Sequence, residues 1–173
     1  MNDVKSNGGP TIFAFESNER DTMLLKCAAA ACNVSYSVQA FSEIDGAKDF
    51  LVGHRVMSSG QGLPEPALAL LDCSFPEGGS IELLQWMRGV PAHVNLVAVV
   101  LGPDEKGGIV ERCYQAGANY FLAKPANYER LKQVLRKLDN CLNLIPACFE
   151  SLVQMPEYRA APKGYSTLRM PQG

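Results

Sequence analysis

Pro66-Ala67-Leu68-Ala69-Leu70-Leu71-Asp72 is the stretch that decides the fold, followed at once by Cys73-Ser74-Phe75-Pro76-Glu77-Gly78-Gly79. An apolar run this short, stopped by Pro and Gly chemistry, reads as a fully buried strand with Asp72 at its carboxyl end. In open parallel α/β sheets that end is where ligands bind and chemistry happens. Three other fragments have the same form. Ile12-Phe13-Ala14-Phe15 delivers Glu16, Val97-Ala98-Val99-Val100-Leu101 delivers Gly102, and Phe121-Leu122-Ala123 delivers Lys124-Pro125.

Together these fragments resemble the receiver domain of two-component response regulators. In that family an acidic pair follows strand one, a phosphoacceptor Asp strand three, Ser or Thr strand four, and Lys-Pro strand five. The intervals from Asp72 to Gly102 to Lys124 are those of a receiver without gaps, and Leu-Leu-Asp, Phe-Pro, Gln-Ala-Gly-Ala and Ala-Lys-Pro fall in place. The resemblance covers about Thr11 to Asn143. It implies a flavodoxin-like, doubly wound α/β fold: a five-stranded parallel sheet in order 2-1-3-4-5 with helices on both faces. It also implies a phosphoryl group accepted on Asp72 from a sensor histidine kinase or phosphotransfer protein, with output through protein contacts and no enzymatic activity.

By the same resemblance Lys124 binds the transferred oxygens, and magnesium is held by Glu16, Asp72 and the backbone carbonyl of Ser74. The sequence departs from the pattern twice. Ser17 stands where the second acid belongs, so magnesium binding is expected to be weak, because one charge is missing from the ion's shell. Gly102 stands where a Ser or Thr hydroxyl would meet the phosphoryl group, so the usual partner of the switch aromatic, matched by Phe121, is missing.

Composition sets limits. The chain has 173 residues, enough for one domain with a modest surplus, and a net charge of −2, with no basic stripe of the kind nucleic-acid binding leaves. The six cysteines (Cys27, Cys32, Cys73, Cys113, Cys141, Cys148) show no C-x-x-C pair, which speaks against a zinc site and for a reducing compartment. No apolar stretch reaches membrane-spanning length and Met1 to Pro10 is too polar for a signal peptide, so a cytoplasmic location is expected.

Along the chain, residues 1–10 read as a disordered leader, 11–143 as the receiver, and 144–173 as a Pro-punctuated tail with no output domain. Glu19 to Cys32 is the first helix, with Asn33 as a left-handed stop. Ser35 to Phe41 alternates as a strand, Ser42 and Asp45 open a second helix, and Met57 to Gly62 is an enlarged loop like that of receivers partnering bacterial phytochromes. Ser80 to Arg88 is the third helix. The fourth begins near Asp104 and is softened by Gly107-Gly108, each costing up to about 1 kcal/mol relative to Ala. Asn127 to about Asn143 is the fifth, with an apolar stripe of Leu131, Val134, Leu135, Leu138 and Leu142. That stripe, with Phe149, Leu152 and Val153 beyond it, predicts a homodimer through the strand-four to helix-five face, or a tail that folds back as a cap.

Plainer readings stand beside these. Lys124 can instead be a structural partner of Asp72 in an inactive receiver, Phe121 a fixed core aromatic, and Cys73 a small buried hydrophobe. His54 and His93 have no partner at catalytic spacing. The alternative function is a pseudo-receiver, a phosphorylation-independent interaction module. A flavin carrier would want a Gly- and hydroxyl-rich phosphate cradle after strand one, where this chain has Glu16-Ser17-Asn18-Glu19.

Overall fold

A computed structural model describes residues 10–56, 66–74, 78–103, 108–143 and 151–163. The expected leader over 1–9, the enlarged loop at Met57 to Gly62, the soft turn at Asp104 to Gly107, and Phe149 lie outside the described residues. The strands are β1 (Thr11–Phe15), β2 (Ser37–Phe41), β3 (Pro66–Asp72), β4 (Ala98–Gly102), β5 (Tyr120–Ala123) and β6 (Tyr158–Arg159). The helices are α1 (Glu19–Cys32), α2 (Ile44–Val56), α3 (Gly79–Gly89), α4 (Gly108–Gln115) and α5 (Tyr128–Asn143). Sheet order is β2-β1-β3-β4-β5-β6, parallel through β5. The expected order 2-1-3-4-5 is present, with one antiparallel strand added at its end.

Strand residues alternate between two cores because successive side chains leave opposite faces. Ile12, Ala14, Leu68, Leu70, Val99, Leu101 and Leu122 pack with Leu25 and Ala28 of α1 and Val134, Leu135 and Leu138 of α5. Phe13, Phe15, Ala69, Leu71, Ala98, Val100 and Phe121 pack on the other face with α2, α3 and α4 through Leu51, Leu83, Leu84 and Cys113. The apolar stripe of α5 is therefore buried against its own sheet, as a 3.6-residue period requires.

Local chemistry sets the ends of α1. Asn18 caps its start, accepting from the N–H groups of Arg20 at 2.9 Å and Asp21 at 3.3 Å, and Asn33 closes it at φ 51°.

The tail returns to its own domain. Leu152 and Met155 are buried in the α1/α5 core, and β6 pairs Tyr158 with Leu122 and Arg159 with Phe121. Glu157 receives Arg130 through two hydrogen bonds of 2.7 Å. The Tyr114 hydroxyl donates to the Arg159 carbonyl at 2.7 Å and accepts the Phe121 N–H at 3.2 Å. This is the folded-back arrangement named above as the alternative to a dimer contact, and β6 pairs along the β5 edge. Among the described residues no helix is long and apolar enough to cross a membrane.

Candidate functional site

Asp72 ends β3 while Glu16 and Lys124 directly follow β1 and β5, and all three share the sequence parity of the residues that face α1 and α5. They converge. Lys124 Nζ lies 3.0 Å from Asp72 Oδ2 and 3.6 Å from Glu16 Oε2. Asp72 is 3% exposed and Glu16 8%, so both carboxylates have lost most of their water and depend on these partners. The other Asp72 oxygen accepts the Ser74 N–H at 2.9 Å, and Glu16 Oε1 accepts the Asn18 N–H at 2.9 Å.

Beneath them, Lys124 N–H donates to the Gly102 carbonyl at 2.6 Å, and the Ser80 hydroxyl donates to the Asp72 carbonyl, tying the start of α3 to the end of β3.

A third carboxylate joins them. Asp21 Oδ2 is 3.1 Å from Lys124 Nζ, reached from the first turn of α1 because the Asn18 cap sets how that helix leaves β1. Ser17 is exposed and supplies no charge, so the acid beside Lys124 comes from one helical turn further on. Of the two nearby acids Glu19 and Asp21, it is Asp21 that the helix turns toward Lys124.

The electrostatics follow from crowding. Burial above all, with help from the Asp72 charge and against the Asn18 N–H and Lys124, pushes the Glu16 carboxyl up to about 7. For Lys124 burial pulls downward, but the hydrogen bond and charge of Asp72, with Asp21 and Glu16, outweigh it and hold the ammonium above its usual range. Oxygen donors of this kind suit a hard divalent cation. Among the described residues no three His, Cys, Asp or Glu side chains are grouped to hold a metal.

Gly102 faces the other way. Its parity is that of Ala98 and Val100, toward α4. A Cβ built on it would lie 2.2 Å from Cys73 Sγ and 2.6 Å from Phe121 Cζ. The space that a Ser or Thr side chain needs is thus filled by the Cys73 sulfur and by an inward Phe121 ring with no exposed surface. Position 102 is glycine because its neighbours have taken the room. Cys73, expected as a small buried hydrophobe, is the residue that takes it.

No family model matches the sequence, and no curated protein does. Solved structures do. A response regulator in red light signaling of R. palustris is 26% identical with a TM-score of 0.67, over 76% of this chain and 92% of that one. A response regulator receiver domain from Rhodospirillum rubrum is also 26% identical, with a TM-score of 0.60, over 87% and 99%. The chain has the receiver fold of response regulators. The Mn2+-bound form of the response regulator Rcp1 shares that receiver fold at 21% identity and a TM-score of 0.61, over 76% and 92%. These neighbours are named as signalling proteins and receiver domains, not as enzymes.

Proposed function

We propose that this receiver accepts a phosphoryl group on Asp72 from a sensor histidine kinase or phosphotransfer protein and passes the signal on by protein contacts. The observation that supports it is the Asp72 to Lys124 contact of 3.0 Å at the carboxyl ends of β3 and β5. An Asp72 oxygen attacks the phosphorus of a phosphohistidine, the P–N bond breaks, and the new acyl phosphate places its oxygens beside the Lys124 ammonium. Magnesium, when bound by Glu16, Asp72 and the Ser74 carbonyl, would supply further positive charge there, as the metal-bound Rcp1 suggests, though weakly with Ser17 in place of an acid. The red-light setting of the R. palustris neighbour supports a light-sensing kinase as donor.

A second reading has its own support. Cys73 and Phe121 fill the site of the missing hydroxyl, so the α4 face has no side chain at position 102 to move when Asp72 is modified. A pseudo-receiver that offers one fixed surface follows from that packing. Incubation with a phosphorylated histidine kinase, and separately with a small acyl phosphate, followed by intact mass, tests the choice. A phosphoryl mass gain that disappears in Asp72→Asn supports transfer; no gain with either donor leaves the fixed module. For the expected homodimer, the folded-back tail is the competing arrangement, and light scattering on the full chain decides between them.

A further inference from the structure

The outer face of α5 and the returning tail enclose a groove of about 410 Å³. Its polar lining is Arg130, Gln133, Arg136, Lys137 and Asn140 from the helix and Gln154 from the tail. The helical residues recur three or four positions apart, on the face opposite Val134, Leu135 and Leu138, which are buried against the sheet. The tail wall is held in place because Leu152 and Met155, on either side of Gln154, are buried in the core.

Charge is unevenly placed along this helix. Lys132 Nζ lies 2.7 Å from Glu129, and Arg130 is neutralised by Glu157. Arg136 and Lys137 have no ion-pair partner among the described residues, and no described carboxylate lines the groove. The chain carries −2 overall, so this positive surplus is local and not part of a general basic field. Carboxamides surround it. The Gln133 oxygen is taken by Arg130 Nη1, which leaves the Gln133 amide N–H groups as donors beside Arg136 and Lys137.

These groups suit a compact anion. A guanidinium fork meets two phosphate oxygens at once, and a neighbouring ammonium supplies a point charge for a second phosphoryl group. The volume falls within the range of about 300–1,000 Å³ of small-ligand sites. An acidic protein segment would feel the same charge, but a concave site of this size, with amides set around two adjacent cations, favours a small molecule. We propose that the groove between α5 and the tail binds a small ligand carrying two adjacent phosphoryl groups, held by Arg136 and Lys137 with the carboxamides of Gln133, Asn140 and Gln154 around it. Because the tail supplies one wall, the ligand also stabilises the folded-back arrangement that carries β6.

The test uses the full-length chain without divalent metal or phosphodonor, so its outcome does not depend on whether Asp72 accepts phosphate. Inorganic pyrophosphate, inorganic phosphate and hexaglutamate are titrated in turn, with affinity read by calorimetry and location by amide chemical shifts. The expected result is pyrophosphate binding about tenfold or more tighter than phosphate, with shifts over residues 133–140 and at Gln154. Arg136→Gln and Lys137→Gln each weaken it about tenfold, and Arg136→Lys, which keeps the charge and loses the fork, also weakens it. Lys26→Gln, which removes an exposed cation on α1, leaves it unchanged. Pyrophosphate shifts confined to the strand ends around Asp72 and Lys124, or an equal loss of affinity in Lys26→Gln, would overturn the proposal. So would no pyrophosphate binding at all, and so would a preference for hexaglutamate, which would mark an acidic protein segment as the occupant.

Discussion

Replacing Gly102 by alanine adds one methyl group to a site where its nearest neighbours are at 2.2 Å and 2.6 Å, well inside contact distance. Overpacking a filled core costs about 1–3 kcal/mol, and the two obstacles here yield to different degrees. Cys73 can rotate about one bond, whereas the Phe121 ring has no exposed surface and its backbone N–H is held by Tyr114. We therefore expect Gly102→Ala to cost about 2–3 kcal/mol, toward the upper end of that range. Gly102→Ser, which restores the hydroxyl of the receiver pattern, meets the same wall. Cys73→Ala removes the closer obstacle at the expense of a small cavity, about 1 kcal/mol on its own. In the double variant the alanine at 102 occupies the space the sulfur left, so the two costs do not add, and the cycle closes with a favourable coupling of about 1 kcal/mol or more. Urea denaturation followed by circular dichroism measures all four corners. If Gly102→Ala unfolds at the wild-type midpoint, or if the double variant shows simple additivity, the reasoning about who fills this space is wrong.

The raised Glu16 predicts a pH effect of definite sign. The folded state holds a proton on Glu16 up to about 7 against an ordinary value of 4.5, so this group's contribution is fully present below pH 4.5 and fades as pH rises through 7. About 1–3 kcal/mol is lost over that window, and Glu16→Gln flattens the stability profile there; parallel profiles for the two proteins would refute it. Ser17→Asp is expected to tighten magnesium binding by about tenfold or more, read by calorimetry, because it returns a charged ligand; equal affinity would mean that another acid, with Asp21 the nearest, already compensates. Glu157→Gln leaves Arg130 without its ionic partner and is expected to cost about 1–2 kcal/mol and to speed hydrogen exchange at Ala123, whose N–H donates to the Glu157 carbonyl at 2.7 Å. Truncation after Leu144 removes Leu152 and Met155 from the core and is expected to lower the melting temperature, while light scattering on the same two chains reports whether association needs the tail.

What the sequence shows well is what strong local pattern encodes. The β3 run ending at Asp72 and the stripe of α5 lie within two residues of their expected limits, since buried strands and amphipathic helices carry their periodicity in the residues themselves. Convergence of Glu16, Asp72 and Lys124 follows from their placement at strand ends. The substitution at Gly102 is visible as a departure, but its cause is not, because the sulfur and ring that fill the space come from the turn after β3 and from β5. Asp21 depends on the direction in which Asn18 launches α1. β6 is two residues long between Pro156 and Pro162, too short for any alternation, and exists because β5 offers it a ladder and Tyr114 a hydroxyl.

That short strand has a consequence for how the molecule behaves among its copies. A parallel sheet ending at β5 would present a row of unpaired amides ready to template a strand from another chain. β6 spends that row on the chain's own residues, runs against the direction of the others, and is followed within three residues by Pro162, which has no amide proton to offer. The β5 side of the sheet is thereby closed to runaway addition, and the long edge left for a visiting strand among the described residues is β2, at the opposite side of the molecule.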